Sequence, residues 1–101
     1  MQSSQYCEIR EFKRSMGISG GMNWMWFEAV CNDVTIAKSE EFPFFSNTPE
    51  EVKISEKEKM NRLISFVKSL LKDGWHSDSP GLLQKTKLPD KILLKRPNEG
   101  K

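Results

Sequence analysis

A chain of 101 residues, 37% hydrophobic and 30% charged, has the size and composition of one globular domain rather than of a disordered segment. Its net charge of +2 excludes a strong overall pull toward nucleic acid or an anionic membrane, and no apolar run approaches the ~20 residues that span a bilayer. Two cysteines, Cys7 and Cys31, are too few for a secreted disulfide scaffold and lack Cys-x-x-Cys spacing. Residues 1–5 show neither the basic start nor the apolar run of a signal peptide. The expected location is therefore the reducing cytosol, a cytoplasmic protein.

Residues 6–14 read as a first strand, with Cys7 and Ile9 on a core face and Tyr6, Glu8, Arg10 and Phe12 on the other. Glu11 falls on the core side and fits only at the sheet margin. The connection over 15–21 holds three glycines and reads as a flexible loop. Residues 23–31 alternate next: Met25, Phe27, Ala29 and Cys31 point one way, and Trp24, Trp26, Glu28 and Val30 the other. Asn32-Asp33 suits a two-residue hairpin turn, because both residues tolerate positive φ. The return strand over 34–39 would then oppose Cys31 with Val34, Ala29 with Ile36 and Phe27 with Lys38.

Residues 40–49 carry two prolines, which exclude a central strand, and three phenylalanines, which call for a loop that packs down. Thr48-Pro49-Glu50-Glu51 has the cap and first-turn proline of a helix start, so a short extra turn is expected there. The main helix is predicted over 56–72, with Ser55 and Glu58 as a capping box. Its apolar stripe is Met60, Leu63, Ile64, Val67, Leu70 and Leu71, a 3.6-residue period. Lys68 and Lys72 complement the helix dipole, and Gly74 suits the left-handed closing position. A turn follows at 77–81, and 82–88 and 91–95 read as two further strands around Pro89-Asp90.

The fold class is therefore α+β: one domain over 1–101 with frayed ends at 1–5 and 97–101. An antiparallel sheet of about three to five strands would carry one long amphipathic helix on one face, in β-β-β-α-β order.

Few residues suggest chemistry. His76 is the only histidine, and Cys7, Cys31 and His76 lack zinc-ligand spacing. The cysteines fit better as small buried apolar groups. A Cys–His nucleophile needs the imidazole beside the thiol, and nothing in the sequence puts His76 there. His76 and Asp78 with Ser77 or Ser79 supply triad residue types, but neighbours in one turn do not adopt triad geometry. Glu40/Glu41 and Glu50/Glu51 read as exposed pairs, the second suited to a helix start. Ser19-Gly20-Gly21 lacks the lysine and spacing of a phosphate loop. No catalytic, cofactor or metal residues are assigned.

The aromatic outer face is the candidate interaction surface: Tyr6, Arg10, Phe12, Trp24 and Trp26. Trp, Tyr and Arg are the types that anchor binding hot spots. The expected function is a non-enzymatic protein-interaction or regulatory module using this face or a sheet edge. Its partner would be another protein or a second copy forming a homodimer, with no membrane. Single-stranded nucleic acid is the alternative, bound by the same aromatics with Arg10, Lys13, Arg14 and the basic segment from Lys85 to Lys101. Against both stands burial from within, by Phe42, Phe44 and Phe45 or by Ile92, Leu93 and Leu94.

Overall fold

The computed structural model describes residues 6–15, 21–77 and 91–97. Much of the glycine connection, the strand expected over 82–88 with most of its flanking turns, and the expected frayed ends at 1–5 and, beyond Pro97, at 97–101 lie outside the described residues.

Strands β1 (Tyr6–Ser15) and β2 (Met22–Cys31) form a long antiparallel pair. Asn32 (φ 50°) and Asp33 (φ 66°) turn the chain into β3 (Val34–Lys38), both in the left-handed conformation that a type I′ hairpin requires. Strand β4 (Phe42–Phe45) follows, then helix α1 (Pro49–Lys72) and a last strand, β5 (Leu93–Lys95). All five strands join one antiparallel sheet in the order β3-β2-β1-β5, with β4 paired to the other half of β2. This is the expected α+β class, with β4 as one more strand than the expected order and α1 on one face.

The segment expected to be a packed loop thus holds a strand around Pro43, while Pro49 opens the helix. Pro43 lies opposite Trp24 on an edge strand, the one place in a sheet where a missing N–H costs no ladder bond. Between β3 and β4, Ser39 keeps the ladder closed. Its N–H donates to the Phe27 carbonyl at 2.8 Å, and its hydroxyl accepts the Phe27 N–H at 2.9 Å. The middle of β2 therefore leaves no backbone group at Phe27 unpaired.

The hairpin register differs from expectation after its first pair. Cys31 faces Val34, but an irregularity at Ala29/Val30 then sets Ala29 opposite Ala37 and Glu28 opposite Lys38. Ile36 is the extra residue of a β-bulge. A straight ladder would have put Lys38 against Phe27 on the core face. The bulge moves it to the outer face instead.

Helix α1 begins at Pro49, ahead of the start expected at residue 56, as one element of 24 residues, about 36 Å long. Thr48 is the N-cap: its hydroxyl accepts the Glu51 N–H at 3.1 Å, and the Glu51 carboxylate accepts the Asn47 N–H at 3.0 Å. Ser55 is inside the helix and buried, where its hydroxyl accepts the Phe45 N–H at 2.9 Å and ties α1 to β4. The competing cap lost because Thr48, Pro49 and Glu51 satisfy the first turn more fully. At the other end Gly74 (φ 103°) permits a Schellman closure, with Gly74 N–H on Leu71 O and Trp75 N–H on Leu70 O.

The buried stripe of α1 is also rotated from expectation. Phe66 (8% exposed), Val67 and Leu70 enter the core, Leu63, Ile64 and Leu71 pack at its margin, and Met60 is 38% exposed. They meet Met25, Phe27, Ala29 and Phe42 from the sheet, with Trp75, Ile92 and Leu94 closing the far end. Each fully buried apolar side chain of this size contributes about 1.5–3 kcal/mol before entropy is subtracted. Glu11, on the core side of β1, reaches Lys59 of α1 at 3.2 Å, which explains an acid at that position.

Cys7 and Cys31 lie on the core face as expected, both buried, and are joined by a disulfide with Cα atoms 4.3 Å apart. The β1–β2 register brings them opposite each other, and Cys7 pairs with Leu94 of β5 on its other side. They are not free thiols acting as small apolar groups.

Candidate functional site

Residues directly opposite in an antiparallel pair share a face. Phe12 faces Trp26, Arg10 faces Glu28 and Arg14 faces Trp24, so the alternation of two strands converges on the side away from α1. Tyr6 joins them at the start of β1, opposite Lys95. All five candidate residues, Tyr6, Arg10, Phe12, Trp24 and Trp26, therefore share the outer face.

The segments that could have buried this face extend it instead. Strand β4 sends Phe42 and Phe44 to the helix side, while Pro43 and Phe45 continue the outer face beside Trp24 and Met22. Strand β5 sends Ile92 and Leu94 into the core and leaves Leu93 beside Glu8. Trp24 and Trp26 stay half-buried, and Tyr6, Phe45 and Leu93 are exposed.

Trp26 sits at the centre. Its ring lies 5.8 Å from that of Phe12, nearly parallel at 12°, and the Lys38 ammonium stands 5.1 Å from its centroid. Its indole N–H donates to Glu28 at 2.7 Å, and the Thr35 hydroxyl donates to the other carboxylate oxygen. The hydrogen bond from Thr35 first, then that from Trp26 and the charge of Lys38, hold the Glu28 carboxyl below its ordinary value of 4.5. The bulge is what makes this cluster, since it delivers Lys38 to Trp26.

A carboxyl depressed in the folded state adds stability above its unfolded-state value and loses it as pH falls through the folded one. Glu28→Gln should therefore be less stable than the parent at neutral pH, with the two converging as pH drops below 4.5. Urea unfolding at a series of pH values checks this. A gap that does not change with pH would mean that the charge of Glu28 contributes nothing.

The other cations near this face are matched as well. Arg10 pairs with Glu8 at 3.3 Å, Arg14 with Glu41 at 2.7 Å, and Lys95 stands over the Tyr6 ring at 5.4 Å.

The remaining sequence candidates hold structural positions. His76 is exposed and pairs through its backbone with Lys95, while the two cysteines are bonded to each other. Glu51 belongs to the helix cap and Glu41 to the Arg14 pair. On the helix side, a groove of about 430 Å³ between β3 and α1 has Glu40, Arg62 and Asp73 among its lining residues, with Ala37 and Phe66. Among the described residues no three His, Cys, Asp or Glu side chains form a metal-sized cluster, and no helix is long and apolar enough to cross a membrane. Sequence reasoning missed Glu28, Thr35 and Lys38, whose meeting depends on the bulge. The chain matches no protein-family model, no curated protein and no solved structure.

Proposed function

We propose that the protein is a non-enzymatic protein-binding module that works through its outer sheet face. One observation carries this reading. Tyr6, Phe12, Trp24 and Trp26 share that face, and among the described residues the two apolar segments weighed against it, Phe42–Phe45 and 92–94, are built into the sheet edges. Aromatic side chains interspersed with paired charges on one open face suit a protein interface, which is enriched in Trp, Tyr and Arg. The face is favoured over the β3 edge, because the bulge at Ile36 breaks the flat ladder that strand addition needs.

Single-stranded nucleic acid is the second reading, and two features weigh against it. Arg10 and Arg14 already pair with carboxylates, whereas a phosphate-tracking surface works with cations left available to the ligand. The Trp26 ring is engaged by both Phe12 and Lys38, which competes with base stacking. On compartment, the disulfide weighs toward an oxidising environment and against the cytoplasmic location expected from cysteine count.

Tryptophan emission with a neutral quencher, read at high dilution, tests the face. Red-shifted, quenchable emission is expected, and it should vanish when Trp24→Phe and Trp26→Phe are combined, leaving buried Trp75. Protected emission at high dilution would defeat the reading. An oligonucleotide that quenches the signal at low salt and releases steeply as salt rises would replace it with the nucleic-acid one.

A further inference from the structure

The protein-binding reading leaves the partner open, and the face itself constrains it. We infer that the occupant is a second copy of the same chain, packed outer face to outer face about a two-fold axis. This inference rests on the proposed function above.

A two-fold contact buries the same patch twice, so the patch must not repel itself. This one meets that condition. Arg10 is matched by Glu8 and Arg14 by Glu41, and Lys38 stands opposite Glu28 in the β2–β3 register. Two copies would approach as near-neutral aromatic platforms. A partner recognised by opposite charge would instead call for an unmatched field of one sign.

Shape points the same way. Antiparallel sheets share one hand of twist, and two such sheets pack aligned at about −30° with interdigitating side chains. An identical sheet is complementary in twist without further adjustment. Trp24 and Trp26 would lie at the centre of the contact, with Tyr6, Phe45 and Leu93 at its rim, where all three are now exposed.

Area sets the strength. Strands of ten residues at ~3.4 Å each, in three to four rows ~4.8 Å apart, present roughly 500–650 Å² of projected face. That is the lower edge of the ~600–1,000 Å² per partner seen in stable complexes. A contact of that size suits a reversible dimer rather than a permanent one.

Sedimentation velocity of the full chain, from about 1 µM to about 200 µM, tests this. The average mass should climb from one chain to two. Trp24→Glu should weaken association at least about tenfold, a hot-spot effect. Phe45→Glu at the exposed rim should weaken it too, and guards against Trp24→Glu simply unfolding, which circular dichroism would report. Ile54→Glu, at a helix position that is 69% exposed, should change nothing. A single-chain mass throughout, with quenchable tryptophans, would overturn the second-copy inference and leave the binding face standing. A single-chain mass with protected tryptophans would overturn both. A dimer indifferent to Trp24→Glu and Phe45→Glu would overturn it by placing the contact elsewhere.

Discussion

Phe66→Ala should lower the unfolding free energy by about 3–5 kcal/mol, the usual loss for emptying a buried aromatic site. Met60→Ala, one and a half turns earlier on α1, should change it by no more than about 1 kcal/mol. Both residues are large and apolar, and periodicity alone would rank Met60 above Phe66. Packing reverses the order, because Phe66 belongs to the buried core cluster while Met60 keeps much of its surface in water. Phe66 borders the groove between β3 and α1 beside Ala37 and Leu70, and the helix backbone limits how far its neighbours can close the space it leaves. Urea midpoints of the two variants measure the difference. Equal losses would mean that α1 is rotated from the orientation described.

Breaking the Cys7–Cys31 bond should cost about 3 kcal/mol. The bond closes a loop between residues 24 apart in sequence, and a loop of that length restricts the unfolded chain by roughly that much. For a domain of this size the thermal midpoint should fall by roughly 10–25 °C. The effect is local as well as global. Cys7 is the middle of the three residues through which β1 meets β5, so the bond links β2 through β1 to the last strand. Melting curves with and without reductant, beside a Cys7→Ala/Cys31→Ala variant, check the prediction. Curves that coincide under all three conditions would mean that the thiols are unpaired in solution.

The sequence shows the strands and the helix through period and alternation, and it shows the outer face because alternation alone puts Trp24, Trp26, Tyr6 and Phe12 on one side. What it conceals are the choices between near-equal local signals. Ser55-x-x-Glu58 and Thr48-x-x-Glu51 both have the capping-box pattern, and the choice rests on Pro49 in the first turn and on the contact that holds Ser55 to the Phe45 backbone. Ile36 and Ala37 are both apolar, so either could oppose Ala29, and the bulge leaves no mark in composition. The cysteine pair is concealed for another reason. Each strand shows its cysteine on the core face, but the β1–β2 register is set across a glycine-rich connection whose geometry residue types do not determine. Pro43 misleads only if a strand is assumed to be central.

The pairing of β1 with β5 also bears on how the chain folds during synthesis. Strand β2 pairs with β1, β3 and β4, all of them made before α1, so most of the sheet can assemble through comparatively short closures as it emerges. The contact of Cys7 with Leu94 spans nearly the whole chain and carries the largest entropic cost of closure. Yet Leu94 is fully buried and Ile92 nearly so. A nascent chain halted before Ile92 would hold four strands and the helix around an open end, with the Cys7 edge bare. The interval between synthesis of α1 and arrival of β5 is therefore when this protein is most exposed to misassembly.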